Sequence, residues 1–123
     1  MELLKAIAEA RKERGYPDTG VTDTYYDELV KVFKETDGYY FEEVEGGFLA
    51  GFKTDTYMLM PGSTVGIVVS YYVEPELRSK GIGKQLIDNF TKWAKDHGCE
   101  YIMQGTPTKD STEVGRMYLR ELK

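Results

Sequence analysis

Residues 64–84 read TVGIVVSYYVEPELRSKGIGK, and this stretch decides the fold. From Thr64 to Val73 the residues are almost all β-branched or aromatic and do not alternate with polar ones, the pattern of a strand covered on both faces at the centre of a sheet. Glu74-Pro75 opens a turn that leads to Gly81. Ile82, Leu86, Ile87, Phe90, Trp93 and Ala94 then mark a helix with one broad apolar face, stopped by Gly98. Strand, turn and helix form the organising unit of the chain.

Working outward, Leu3, Leu4, Ile7, Ala8 and Ala10 predict an amphipathic first helix that ends at Gly15-Tyr16-Pro17. Tyr26, Leu29, Val30 and Phe33 predict a second, with N-cap candidates at Thr22, Asp23 and Thr24 and an end near Asp37-Gly38. Tyr39–Val44 and Phe48–Phe52 around Glu45-Gly46-Gly47 read as an antiparallel hairpin. Lys53 to Ser63 reads as a strand tail or an ordered loop. Beyond the central helix, Tyr101-Ile102-Met103 is a short strand and Thr106-Pro107 a loop. A last helix is expected from about Asp110, with Glu113 in a capping box and Val114, Met117, Tyr118 and Leu122 on one face. The expected class is α/β, a mixed and mostly antiparallel sheet flanked by helices, with one parallel crossover into the strand at Tyr101.

The chain has 123 residues, 41% hydrophobic and 30% charged, which favours one domain over 1–123 and excludes a disordered or fibrous chain. No apolar run is long enough to span a bilayer, and MELLKAIAEARKERG is too charged for a signal peptide. Cys99 is the single cysteine and His97 the single histidine, so neither an intrachain disulfide nor a soft-donor zinc site is expected, and a cytoplasmic location fits. The net charge of −5 argues against broad binding of nucleic acid, so any anionic ligand needs a local site.

Residues 77–87 supply that site. They carry Arg78, Lys80 and Lys84 and no acid, and Gly81 and Gly83 lie where a helix begins, so backbone N–H groups and the helix dipole converge on one point suited to a phosphate. The stretch is not a Walker A loop, since Arg78 stands where a glycine is required and Gln85 where Ser or Thr is. It is not a Rossmann fingerprint either, since Leu86 replaces the third glycine.

The pattern Val73-x-Pro75-x-x-Arg78-x-x-Gly81-x-Gly83 closely resembles the acetyl-CoA signature [RQ]-x-x-G-x-[GA] of the GNAT superfamily of N-acetyltransferases. The resemblance covers most of residues 22–123 and is best from Val65 to Tyr101. It implies the GNAT-like acyl-CoA N-acyltransferase fold and acetyl transfer from acetyl-CoA to a primary amine by direct attack in a ternary complex, with no metal. It further implies that the backbone at Arg78, Ser79, Lys80, Gly81, Ile82, Gly83 and Lys84 wraps the pyrophosphate, and that the strand edge at Tyr71–Val73 pairs with the pantetheine amides. The N–H of Tyr71 would then polarise the acetyl carbonyl. Tyr118 matches a tyrosine that the family's last helix presents to the sulfur as general acid, and Thr112 the place of a frequent asparagine. Gly115 matches a small position one turn before that tyrosine.

Three departures accompany the resemblance. The family's opening strand is not apparent. A glutamate base found in some members maps to Ile67, which leaves Glu43, Asp55 and Glu74 as candidate bases. Where relatives continue into a final strand pair this chain stops at Leu122-Lys123, so the expectation is either a minimal domain or a C-terminal hairpin that has been lost or is supplied by a partner; a homodimer is among the expected assemblies. The competing reading is a non-catalytic acyl-CoA-binding or protein-interaction module on the same fold. The acidic balance mildly favours a cationic acceptor such as a polyamine, an amino sugar or a protein lysine. Tyr57-Met58-Leu59-Met60 is a candidate acceptor wall or a buried loop contact; Trp93 is core, and His97 and Cys99 are structural.

Overall fold

A computed structural model describes residues 2–20 and 22–122; Met1, Val21 and Lys123 lie outside the described residues. Helix α1 (Glu2–Glu13) buries Leu3, Ala6 and Ala10, a stripe at three- and four-residue spacing. Helix α2 (Asp23–Glu35) follows, and then strands β1 (Tyr39–Val44), β2 (Gly47–Thr54) and β3 (Val65–Val73) form an antiparallel meander. A single 3₁₀ turn (Pro75–Leu77) leads into α3 (Ile82–Asp96), and β4 (Tyr101–Gln104) returns parallel to β3.

Six strands make one sheet in the order β1-β2-β3-β4-β6-β5, antiparallel except at the β3–β4 pair. Helix α3 covers one face. Its buried Leu86, Phe90 and Ala94 pack with Leu49, Val68 and Ile102 of the sheet, and Tyr40 and Trp93 flank the Phe90 ring at 5.3 and 5.6 Å between centroids. Phe90 is fully buried, so truncating it to alanine would cost about 3–5 kcal/mol. Helix α1 lies on the opposite face, where a second cluster joins Leu3, Ala6 and Ala10 to Phe48 and Tyr72.

The C-terminal segment corrects the sequence reading. Residues from Asp110 onward form no helix; Thr112–Val114 (β5) and Met117–Glu121 (β6) make a hairpin, and β6 pairs with β4. Gly115 has φ +65° at the first position of the two-residue turn, a conformation that suits a strand reversal and not a helix interior. The strand pair expected to be missing is therefore present within this chain. Residues 105–111 cross from β4 to β5 as a loop.

Candidate functional site

Strand β3 is nine residues long, but β4 pairs only with its first three: Val65, Gly66 and Ile67 face Tyr101, Ile102 and Met103. Beyond Ile67 the two strands splay, and the far half of β3 has a free edge inside the sheet. On its other side β3 follows β2, with an irregularity that skips Val69 between the pairs Gly51–Val68 and Ala50–Ser70. Hydrogen-bonding direction alternates along a strand. A Cβ added at Gly47 would meet the Tyr72 carbonyl at 2.8 Å, which places that carbonyl on the β2 side, so the N–H and C=O groups of Tyr71 and Val73 face the splay. Both carbonyls are already engaged: the Arg14 guanidinium donates to that of Tyr71, and Arg78 Nε donates to that of Val73 at 2.9 Å. The N–H groups of Tyr71 and Val73 are the polar groups left open to a guest.

At the upper end of the splay the chain turns through Arg78–Gly81. Ser79 has φ +73°, the one non-glycine residue with positive φ among the described residues, and Gly81 has φ +84°. A left-handed serine costs about 1–2 kcal/mol, and strain of this kind accumulates where backbone is shaped for a ligand. The first hydrogen bond of α3 runs from Gln85 N–H to the Gly81 carbonyl, and Gly81 offers no capping side chain. The amides of Ile82, Gly83 and Lys84 therefore have no partner within the helix and open onto a depression lined by Tyr71, Val73, Arg78, Ser79, Gly81 and Lys84.

The basic side chains of this loop are less free than their sequence suggests. Arg78 pairs with Glu13 of α1 at 2.9 Å and lies over the Tyr72 ring, whose hydroxyl also donates to Glu13. The hydrogen bond from Arg78 holds the Glu13 carboxyl below its ordinary range, against a weaker opposing effect of desolvation. Lys84 pairs with Asp88 at 2.6 Å. Among the described residues Lys80 makes no ion pair. Arg78 thus works chiefly as a tie that fixes the loop to α1 and β3, and the groups this loop leaves open are those of its backbone.

A groove of about 420 Å³ continues from this loop between α3 and residues 104–110, sharing Tyr71, Gly83 and Lys84 with the depression. Among the described residues, three buried side-chain polar atoms lack a hydrogen-bond partner: Gln104 Oε1, Thr108 Oγ1 and Arg120 Nε. All three residues line this one groove. An orphaned buried polar atom costs about 1–3 kcal/mol, so the groove suits a guest that brings both N–H donors and carbonyl acceptors. A pyrophosphate joined to an amide-bearing arm, as in coenzyme A, has that chemistry, and the residues present fit it. Sequence reasoning missed Gln104, Thr108 and Arg120, because nothing in their spacing marks them as neighbours.

Other expected residues fall elsewhere. Tyr118 sits on β6 opposite Gln104, and Thr112 opens β5 opposite Leu119 at the sheet edge. Neither lines the groove, and the helix on which their comparison with the family rested is a hairpin. Ile67 lies within the paired part of β3, and Glu43, Asp55 and Glu74 are absent from the groove lining. Burial, with Glu76 beside it, raises the Glu74 carboxyl. Burial also raises the Tyr71 phenol and the Cys99 thiol, which keeps both protonated near neutral pH. His97 stacks on Trp93 at the opposite end of α3 from the loop, and Met58 and Leu59 project outward. Among the described residues no cluster of His, Cys, Asp and Glu could hold a metal ion, and no helix is long and apolar enough to cross a membrane.

The splayed strand pair and the glycine loop at a helix start define an acyltransferase-type scaffold, and the family is explicit in the sequence as a whole. The model of the acetyltransferase (GNAT) family matches residues 2–122, and the chain belongs to that family. Its fold is similar to that of a GNAT-family acetyltransferase from Staphylococcus aureus MU50, with a TM-score of 0.68 at 17% identity over 99% of this chain and 92% of the other. A GNAT acetyltransferase from S. aureus USA300_TCH1516 gives 0.65 at 18% identity over 93% and 84%. AAC(6')-Iy, solved with the bisubstrate analogue CoA-S-monomethyl-acetylneamine, gives 0.61 at 21% identity over 75% and 67%. No curated protein matches the chain.

Proposed function

We propose that residues 1–123 act as one N-acetyltransferase domain that moves an acetyl group from acetyl-CoA to a primary amine by direct attack in a ternary complex. The observation that carries this reading is the free inner edge of β3, whose Tyr71 and Val73 N–H groups open onto a groove continuous with the α3 N-terminus. Backbone N–H groups from Ser79 to Lys84 would hold the pyrophosphate, with Lys80 adding charge. Val73 N–H would pair with the pantetheine arm, and Gln104 Oε1 and Arg120 Nε would satisfy an amide N–H and C=O. The bound CoA conjugate of AAC(6')-Iy supports the choice of substrate.

The acceptor nitrogen, as the free base, attacks the thioester carbonyl carbon. The C–N bond forms while Tyr71 N–H donates to the developing oxyanion, a contribution of about 3–4 kcal/mol for one pre-organised donor. The C–S bond then breaks, sulfur keeps its electron pair, and the proton released by nitrogen reaches the thiolate through solvent. No side-chain base is required.

Calorimetric titration with acetyl-CoA, CoA and ADP, followed by thiol release with an amine panel, tests the reading. Gln104→Leu should weaken CoA about five- to thirtyfold and leave ADP unchanged, as loss of one or two kcal/mol from the arm alone requires. Binding without thiol release would favour the non-catalytic module, and absence of CoA binding would overturn the proposal.

A further inference from the structure

Arg14 stands at the end of α1, where its amide closes the last helical turn on the Ala10 carbonyl at 3.1 Å and Gly15, at φ +72°, turns the chain away. In the sequence it belongs to the run Arg11-Lys12-Glu13-Arg14, which reads as a solvated helix end. Its side chain does something else. The guanidinium crosses to β3, donates to the Tyr71 carbonyl 57 positions along the chain, and lies 6.0 Å from the centroid of the Tyr72 ring. Tyr72 packs with Leu3, Ala6 and Ala10 of α1, so this guanidinium reaches the splay from the face opposite α3. Among the described residues Arg14 makes no ion pair. The adjacent Glu13 is engaged by Arg78 and by the Tyr72 hydroxyl.

The place of this charge along β3 gives it chemical meaning. On the free edge the groups come in the order Tyr71 N–H, Tyr71 C=O, Val73 N–H and Val73 C=O, with the groups of Tyr72 turned to β2. In the proposed complex the arm arrives from the loop end, pairs at Val73 N–H and brings the thioester carbonyl to Tyr71 N–H. The sulfur, one bond from that carbonyl on the arm side, then lies between the two amides, an interval of about 7 Å. The Tyr71 carbonyl falls in the same interval, and the guanidinium is bonded to it. Opposite charges about 5 Å apart at a protein surface, discounted for the exposure of Arg14, shift a protonation equilibrium about tenfold.

We infer that the Arg14 guanidinium faces the CoA sulfur and stabilises the thiolate as it leaves. This rests on the proposed acetyl transfer and names the group that supports its second half. The acceptor nitrogen bonds to the carbonyl carbon, the C–S bond breaks, and sulfur takes the electron pair beside the guanidinium while the proton lost by nitrogen passes to solvent. The arrangement answers a gap left by the fold. Tyr118, which the resemblance offered as proton donor, lies on β6 outside the groove lining, and the Tyr71 hydroxyl is held at the start of α3 against Gly83. The other charged groups around this stretch are engaged or lie on the α3 side. Glu9 and Glu13 of α1 act on the Tyr72 hydroxyl, Arg78 pairs with Glu13, Lys84 pairs with Asp88, and Lys109, Asp110 and Arg120 line the groove.

The test needs no acceptor. Thiolate absorbance in the ultraviolet, read on the full chain as the difference between its CoA and desulfo-CoA complexes, follows ionisation of the bound thiol free of the protein's tyrosines. In the wild type the bound thiol should ionise about tenfold more readily than that of free CoA. Arg14→Gln, which can still donate to the Tyr71 carbonyl, should return it to the free value. Linkage requires a matching change in affinity: calorimetry should show CoA binding about tenfold tighter above the thiol's titration range than below it, with desulfo-CoA constant and with the difference lost in Arg14→Gln. A wild-type bound thiol that ionises as in free CoA, or one shifted equally in Arg14→Gln, overturns the inference while desulfo-CoA still binds. Failure of both CoA and desulfo-CoA to bind overturns the proposed acetyl transfer, and this inference with it.

Discussion

Replacing Gly83 by alanine puts a Cβ 2.0 Å from the Tyr71 hydroxyl oxygen and 3.2 Å from its Cζ. The first distance is far inside contact, the second only tight, so the conflict is with one atom at the end of a side chain. The Tyr71 ring must swing away from the start of α3, and the space open to it is the groove that it already lines. Overpacking of this kind costs about 1–3 kcal/mol, and alanine at a helical glycine returns about 1 kcal/mol, so global stability should fall by at most about 2 kcal/mol. CoA affinity should fall with it, because the displaced ring would occupy the path proposed for the pantetheine arm. Removing the offending atom should reverse the loss, so Gly83→Ala and Tyr71→Phe should couple by about 1–2 kcal/mol, or five- to thirtyfold in the Kd for CoA. Isothermal calorimetry on the wild type, both single variants and the double variant measures that coupling. If the double variant binds CoA no better than Gly83→Ala, glycine is needed for the approach of the ligand to the backbone, and the argument from Tyr71 is wrong.

Further outcomes follow from the same geometry. Tyr118→Phe should leave kcat and its pH profile within about twofold of wild type, because β6 carries Tyr118 outside the groove lining; loss of the alkaline limb would restore it as the acid. Glu13→Gln should lower the thermal midpoint at neutral pH and not at acid pH. The native carboxyl of Glu13 titrates below its unfolded value, so its stabilisation is present above the unfolded value and is lost as pH falls through the native one; a midpoint difference that persists at pH 2 would contradict this. Gly115→Val should cost about 1–3 kcal/mol by forcing a β-branched residue to φ +65°, read as a shift in the urea midpoint.

What the sequence discloses, and what it hides, divides along the range of the interactions involved. The run Thr64–Val73 and the stripe from Ile82 to Ala94 set β3 and α3 to within a residue or two, because a strand buried on both faces and a one-faced helix write different periods. The last segment misleads for a specific reason. Val114, Met117, Tyr118 and Leu122 satisfy a helical period, yet Gly115 lies between two short β-rich runs, and a glycine inside a helical pattern is evidence for a turn. The glycine loop before α3 is legible as backbone, because its glycines and helix start are local. The tie from Arg78 to Glu13 crosses 65 positions of sequence, and the convergence of Gln104, Thr108 and Arg120 on one groove depends on the splay of β3 from β4. Neither leaves a mark in residue spacing.

The splay also bears on the behaviour of the chain before any ligand arrives. An open edge in the middle of a sheet is a template that a strand of another molecule could extend, and sheets of this kind aggregate through such edges. An invading strand needs donors and acceptors in alternation. Here the guanidinium groups of Arg14 and Arg78 sit on the Tyr71 and Val73 carbonyls, so the edge offers amide hydrogens without their matching acceptors. The same two arginines thereby keep the molecule from joining its own copies through this edge.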